Sequence, residues 1–277
     1  MTHELTYSIA ELTPYIDWTY FLHAWKVPAA SAEAVTLQAE AAKVLQELNN
    51  DEAISIKGLV GIFAAGSRGD DILITADDGK INIVPCLRQQ HTSPGAPCLC
   101  LADFIHPLEH GAAVDKIGVF ATSADYRPDH RHTNDAYRQI MTQTLCDRLA
   151  EAAACRLHEE VRRKLWGYAP EEELTIHDLL HERHQGIRPA TGYPSLPDQS
   201  INFILSPLIG MDRIGITLTE NGAMQPSASV SGLMIAHPAA RYFAVGPIDE
   251  TQLHDYAMRR GLDEDRVRQF LTANYRQ

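Results

Sequence analysis

The chain has 277 residues, with 24 Lys and Arg against 36 Asp and Glu and a formal net charge of −12. Hydrophobic residues make up 45% and charged residues 22%, enough to bury a core and far from a disordered composition. So acidic a chain lacks the clustered Lys and Arg that non-specific binding to nucleic acid or an anionic membrane needs, so neither is expected as a partner.

The longest strongly apolar run, residues 58–66, is far short of the roughly 20 residues of a membrane helix. The N-terminus carries Glu4 and Glu11 and no basic start before an apolar stretch, so no secretory signal is expected. Cys86, Cys98, Cys100, Cys146 and Cys155 form no even framework and read as reduced thiols of a cytoplasmic protein.

Residues 30–48 read as a helix, because Ala34, Leu37, Ala41, Val44 and Leu48 recur at steps of three and four. Ser31 suits its N-cap and Asn49-Asn50 its stop. Residues 58–63 read as a buried strand. Residues 71–75 and 80–84 flank Ala76-Asp-Asp-Gly79, the chemistry of a hairpin turn. A further strand is expected over 116–121. Residues 133–166 hold neither Pro nor Gly and form the longest helical stretch, with Leu145, Leu149, Ala152 and Leu157 near one face. Thr175 and Asp178 resemble a capping box that opens a short helix to about His184. Residues 186–200, with Pro189, Gly192, Pro194 and Pro197, read as an ordered loop. Strands are expected at 214–219, 229–235 and 241–245, then helices at 250–260, stopped by Gly261, and 263–273. The order lacks a βαβ rhythm and contains an antiparallel hairpin, which predicts an α+β fold with an antiparallel sheet. No repeat or low-complexity linker divides the chain, so residues 1–277 are expected to form one domain.

Most chemical motifs are missing. Gly58-Leu-Val-Gly61 and Gly66-Ser-Arg-Gly69 match no dinucleotide fingerprint, and neither a phosphate-binding GxxxxGK[ST] loop nor a GxSxG elbow occurs. His177, His181 and His184 stand at i, i+4 and i+7, but Glu182 between them is out of HExxH order and no fourth ligand is near. They read as a solvated helix face, and His130 and His132 carry less weight still. Cys98-x-Cys100 has the wrong spacing for a zinc knuckle or a redox pair and reads as buried thiols. No metal site and no catalytic triad or dyad is assigned. The unusual feature is the loop Arg188-Pro-Ala-Thr-Gly-Tyr-Pro194, whose prolines and glycine fix its backbone. Arg188 and Tyr193 in such a loop suit a small ligand with a carboxylate and a flat ring. Equally, Arg188 could pair with a surface acid and Tyr193 pack in the core.

An ordered set of motifs carries a resemblance. Tyr15-Ile-Asp-Trp-Thr19, Gly61-Ile-Phe63, Gly69-Asp-Asp71, Leu87-Arg-Gln-Gln90 and Leu101-Ala-Asp-Phe104 come first. Asp147-Arg-Leu-Ala-Glu151, Trp166-Gly-Tyr-Ala-Pro170, Gly186-Ile-Arg-Pro-Ala190 and Gly192-Tyr-Pro194 follow. Leu218-Thr-Glu220, Ala223-Met224, Val230-Ser-Gly232 and His237-Pro238 complete it. Across its whole length the chain resembles the S-adenosylmethionine-binding activation domain of cobalamin-dependent methionine synthase.

That resemblance implies a C-shaped α+β domain with a bent, mainly antiparallel sheet flanked by helices. It also implies a role in reactivation: S-adenosylmethionine and an electron donor, flavodoxin-like in this family, convert inactive cob(II)alamin to methylcobalamin. Position by position, Asp17 and Arg188 match the ligand-binding acid and arginine, and Tyr242 and Phe243 match the adenosine-side pair, whose backbone would meet adenine edges. Ala190 stands where close approach is needed, Glu151 and Glu182 match acids near the ligand, and Tyr193 would face the cobalamin.

No DxHxxG cobalamin motif and no homocysteine or folate module is present. The expectation is therefore a free-standing subunit whose partner chain carries the cobalamin. Where the family has Pro-Ala-Asn this chain has Ala64-Ala65-Gly66, and Asn221-Gly222 and Gln199 also depart from the pattern. The departures near Asn221 and Gln199 motivate a second reading, a docking or regulatory module for another corrinoid methyltransferase with weakened ligand binding.

Overall fold

The structure is a computed structural model and describes residues 2–127 and 135–275. Strand β1 (Thr2–Tyr7) opens the chain, followed by helices α1 (Ile9–Leu12) and α2 (Trp18–Ala24). Side-chain oxygens start both helices: Ser8 accepts from the Glu11 N–H and Asp17 from the Thr19 N–H. Helix α3 (Ala32–Leu48) has the expected Ser31 N-cap and ends at Asn49. Its apolar stripe is buried, as the spacing predicts.

Strand β2 (Ile54–Arg68) is fifteen residues long, more than twice the run read from the sequence, and it organises the sheet. Its first half pairs with β1 and its last five residues with β3 (Asp71–Thr75), so one edge serves two partners in succession. Strand β4 (Ile81–Pro85) returns from β3 through the anticipated turn, in which Gly79 takes the left-handed φ of 83°. On the other edge of β2 runs β5 (Asp115–Tyr126).

Helix α4 (Ala136–Glu160) crosses the sheet on a run of small buried residues, Ala150 and Ala152 to Ala154. A single π-helical turn at Val161–Leu165 then carries the chain to Gly167. Next come α5 (Ile176–Leu180), α6 (Asn202–Ile209), the two-residue pair β6 (Thr217–Leu218) and β7 (Met224–Gln225), and β8 (Ser229–Met234). Helices α7 (Glu250–Arg260) and α8 (Glu264–Phe270) close the described chain. The main sheet runs β4-β3-β2-β5-β8 with β1 also on β2, every pair antiparallel, and helices flank it. This is the α+β fold expected. Among the described residues no helix is long and apolar enough to cross a membrane.

Period-two alternation sorts the core. Val60 and Phe120 face the side packed by α3 and α4, whereas Leu59, Val119 and Ala121 face the side packed by α6. A third cluster holds α7 and α8 against Leu87 and Val245.

Several expectations fail for local reasons. Strand β1 was not foreseen, because its THELTY sequence is mostly polar and only pairing with β2 makes it a strand. Helix α6 was not foreseen either, since Pro207 lies inside it and prolines crowd the segment before it. Residues 214–219 give only β6, because a 3-10 turn over Met211–Ile214 precedes it. Residues 241–245 are not a strand; their backbone bonds to the loop at Pro194 and Ser195 instead. The helix from Thr175 has its capping box but ends at Leu180, not near His184.

Candidate ligand-binding site

A cavity of about 810 Å³ opens between the N-terminal turn, α4, the segment after α5 and the chain at Tyr242-Phe243. The seven ligand-side positions implied by the resemblance line it, Asp17, Glu151, Glu182, Arg188, Ala190, Tyr242 and Phe243, and so does Tyr193, implied to face the cobalamin.

Each has a local cause. Asp17 is the N-cap of α2, with Oδ1 accepting the Thr19 N–H at 2.8 Å. Glu151 and Arg148, three residues apart on α4, present to the same side. Glu182 follows the end of α5 at a φ of 55°, which turns the chain sharply there. Loss of water at the cavity wall holds the Glu182 carboxyl above its ordinary pKa, with Arg188 pulling the other way.

The loop carrying Arg188 lies along β8 as an irregular extra edge. Ile187 and Ile235 exchange two backbone bonds at 2.9 Å, Leu233 N–H donates to Pro189 O at 3.0 Å, and Thr191 N–H donates to Ser231 O at 2.9 Å. A buried polar cluster braces it from beneath. Thr191 and Ser231 both donate to Asn202 Oδ1, at 3.1 and 2.6 Å, and Asn202 Nδ2 donates to Gly222 O at 3.0 Å. Arg188 N–H donates to Tyr242 Oη at 3.0 Å. Arg188 Nη1 is shielded from solvent and has no hydrogen-bond partner among the described residues.

Tyr193, 48% exposed, stands at the mouth and donates its hydroxyl to Glu151. Burial and that carboxylate push its phenol well above the ordinary range. The wall therefore combines three carboxylates with two guanidiniums, beside an aromatic and uncharged side formed by Pro194, Tyr242 and Phe243.

The model of the vitamin B12 dependent methionine synthase activation domain family matches residues 8–261. The chain belongs to this family. Among solved structures, one described as the MetH reactivation domain bound to AdoHcy is 38% identical. It superposes with a TM-score of 0.91, covering 100% of this chain and 91% of that one. All the residues that line the cavity lie within the stretch that matches the activation-domain family.

In this activation domain further buried polar groups lie close to Arg188. Arg162, 1% exposed, forms a forked pair with Glu172 at 2.7 to 3.1 Å. His158 Nε2 lies 3.1 Å from Tyr168 Oη, and its ring packs edge-on against His184 at 4.8 Å. Burial holds both imidazoles below their ordinary pKa, with Arg162 adding to it; His184 is pushed down to about 4.

The histidine reading is thereby corrected. His177 and His181 stack at 4.1 Å, but α5 has ended before His184, which turns inward and is not part of a solvated face. Cys98 is half-buried, so only Cys100 of that pair is a fully buried thiol. His130 and His132 lie outside the described residues. The Phe243 backbone groups expected to meet an adenine edge have a partner in the free chain. The Phe243 N–H donates to Ser195 Oγ at 3.1 Å and the Ser195 hydroxyl donates to the Phe243 carbonyl, so both groups are already engaged.

Sequence reasoning missed Tyr20, Arg148 and Ser195 as wall residues. Arg148 was within reach, since it stands one helical turn before Glu151; Tyr20 and Ser195 carried no such signal. Neither Gln199 nor Asn221 lines the cavity.

Proposed function

We propose that this chain binds S-adenosylmethionine in the cavity and supports reductive methylation of cob(II)alamin to methylcobalamin on a separate, cobalamin-carrying methionine synthase chain. One observation carries the reading: a solvent-shielded guanidinium nitrogen of Arg188 without a hydrogen-bond partner among the described residues, in a cavity otherwise rich in carboxylates. A buried donor left unpaired costs free energy until an anion meets it, and the ligand's carboxylate fits a planar fork. The relative described with AdoHcy bound supports the same reading.

The remaining wall suits the rest of the ligand. Its one excess negative charge complements a ligand whose ammonium, sulfonium and carboxylate sum to one positive charge. Asp17 and Glu182 face the ammonium, Glu151 the ammonium or the ribose hydroxyls, and Tyr242 and Phe243 the adenosine. Ala190, buried in the loop, admits close approach. Tyr193 at the mouth faces the cobalamin. The volume falls within the ~300–1,000 Å³ of pockets that enclose ligands of this size.

The partner's reduced cobalt supplies the nucleophile, and a sulfonium already activates its methyl group. The residues here bind, orient and exclude water, which is why no acid–base pair is needed in the wall. The electron comes from a flavodoxin-like donor, and the setting is the cytoplasm. The alternative of a docking module with weakened ligand binding rested on Gln199 and Asn221, both outside the cavity wall.

Calorimetric titration with S-adenosylmethionine tests the first half; no heat at millimolar ligand sinks it. Addition of the chain to an oxidised cobalamin-dependent methionine synthase, with S-adenosylmethionine and a reductant, tests the second. Recovery of activity is expected with the chain and not without it.

A further inference from the structure

One hydroxyl in the cavity wall does something unusual. Ser195 Oγ accepts from the Phe243 N–H and donates to the carbonyl of the same residue. Both groups of Phe243 therefore point the same way, toward a buried atom that lines the cavity. The segment does not depend on this ring for its position. Val245 N–H donates to Pro194 O at 2.9 Å, Gln89 Nε2 donates to Ala244 O at 2.8 Å, and Tyr242 Oη accepts the Arg188 N–H. Three other bonds already hold residues 242–245.

A parallel N–H and C=O on one residue form a donor and an acceptor side by side. The edge of a 6-aminopurine offers the complement, an amino group that donates beside a ring nitrogen that accepts. A serine hydroxyl, which donates once and accepts, satisfies the same two groups with one atom. We propose that the Ser195 hydroxyl holds the place of the adenine edge in the free chain and rotates away when adenine arrives. Ser195 thus tunes affinity: it weakens binding of an adenine base, which must displace it to make both Phe243 bonds, and leaves a base that cannot displace it largely unaffected. This rests on the reading of the cavity as an S-adenosylmethionine site. A hypoxanthine base, with a carbonyl and a ring N–H on that edge, meets Phe243 acceptor to acceptor and donor to donor and has no means of displacing the hydroxyl.

The test is calorimetric titration of the parent chain, Ser195→Ala, Ser195→Cys and Ser195→Thr with S-adenosylmethionine and with its inosine-base counterpart. Ser195→Ala is expected to bind the adenine ligand about fivefold tighter, the net worth of the bonds no longer broken, with little change for the hypoxanthine ligand. Ser195→Thr keeps the hydroxyl and is expected to retain the parent ratio, and Ser195→Cys, a weaker hydrogen-bonding group, to fall between them. The Phe243 amide resonance should shift on replacement of Ser195 in the free chain. Weaker adenine binding by Ser195→Ala, or an equal change for both ligands, overturns the proposal and leaves the ligand assignment standing. Failure of the parent to bind S-adenosylmethionine overturns that assignment, and this inference with it.

Discussion

Gly232 lies directly against Pro189. A Cβ on the glycine would stand 2.2 Å from the Pro189 carbonyl oxygen and 2.8 Å from Ala190 Cα. Bare backbone at this point of β8 is what lets the Arg188 loop lie along the sheet, so the strand sets how deep the loop sits. Gly232→Ala is expected to lift the loop, lower stability by ~1–3 kcal/mol as overpacking does, and weaken S-adenosylmethionine binding at least ~10-fold. Thermal unfolding and calorimetry measure the two effects. Unchanged affinity would show that the loop does not hold the ligand.

Arg188 separates binding from stability. Its Nη1 has no hydrogen-bond partner among the described residues, so truncation would remove the proposed ligand contact without orphaning a protein acid. Arg188→Ala is expected to cost ~2–5 kcal/mol in ligand binding, with the melting temperature little changed. Arg188→Lys recovers only part, because an ammonium cannot grip a carboxylate with two parallel bonds. Loss of reactivation with docking to the partner intact would also separate this reading from the docking module.

Acid is expected to destabilise the fold through His184 and His158. Both sit neutral, facing Arg162 and Tyr168 and, more distantly, Arg188. Their folded pKa lies below the unfolded value, so the unfolded chain binds protons first and stability rises with pH. The contribution is full above about pH 6.5 and is lost as pH falls toward 4; for His184 it is on the order of 3 kcal/mol. His184→Phe should flatten this limb of a urea-unfolding pH profile. A profile identical to that of the parent would remove His184 from the account.

The Arg162–Glu172 pair is buried at both ends, with side chains 1% and 8% exposed. Glu172→Gln leaves a guanidinium without its counter-charge and is expected to cost ~3–5 kcal/mol, read as a fall in the urea midpoint. Replacing both with apolar residues of similar size, Arg162→Met with Glu172→Leu, should recover most of that loss. If the single substitution proves harmless, the pair is not what anchors the turn after α4.

Legibility in the sequence followed the range of the interaction. Helices α3 and α7 could be bounded almost to the residue because Ser31, Asn49 and Gly261 act within one turn of themselves. The β3–β4 hairpin was legible for the same reason, through Gly79. Strand β1 and helix α6 were not, since one depends on a partner fifty residues away and the other survives an internal proline through packing. For the cavity, the residue types were legible through the family motifs, while the neighbours that complete its wall, Tyr20 and Ser195, were not.

By itself the sequence determined the acidic charge, the local caps and turns and the antiparallel α+β pattern, all properties of residue type and short spacing, and the family resemblance supplied eight candidate site positions. Only the tertiary structure decided that those eight positions line one cavity, that Arg188 Nη1 is unpaired among the described residues, that His184 turns inward and that Ser195 engages Phe243. Each of these joins segments tens of residues apart, and such contacts arise from how β2, β5 and β8 bring the chain together. Local periodicity carries no record of them.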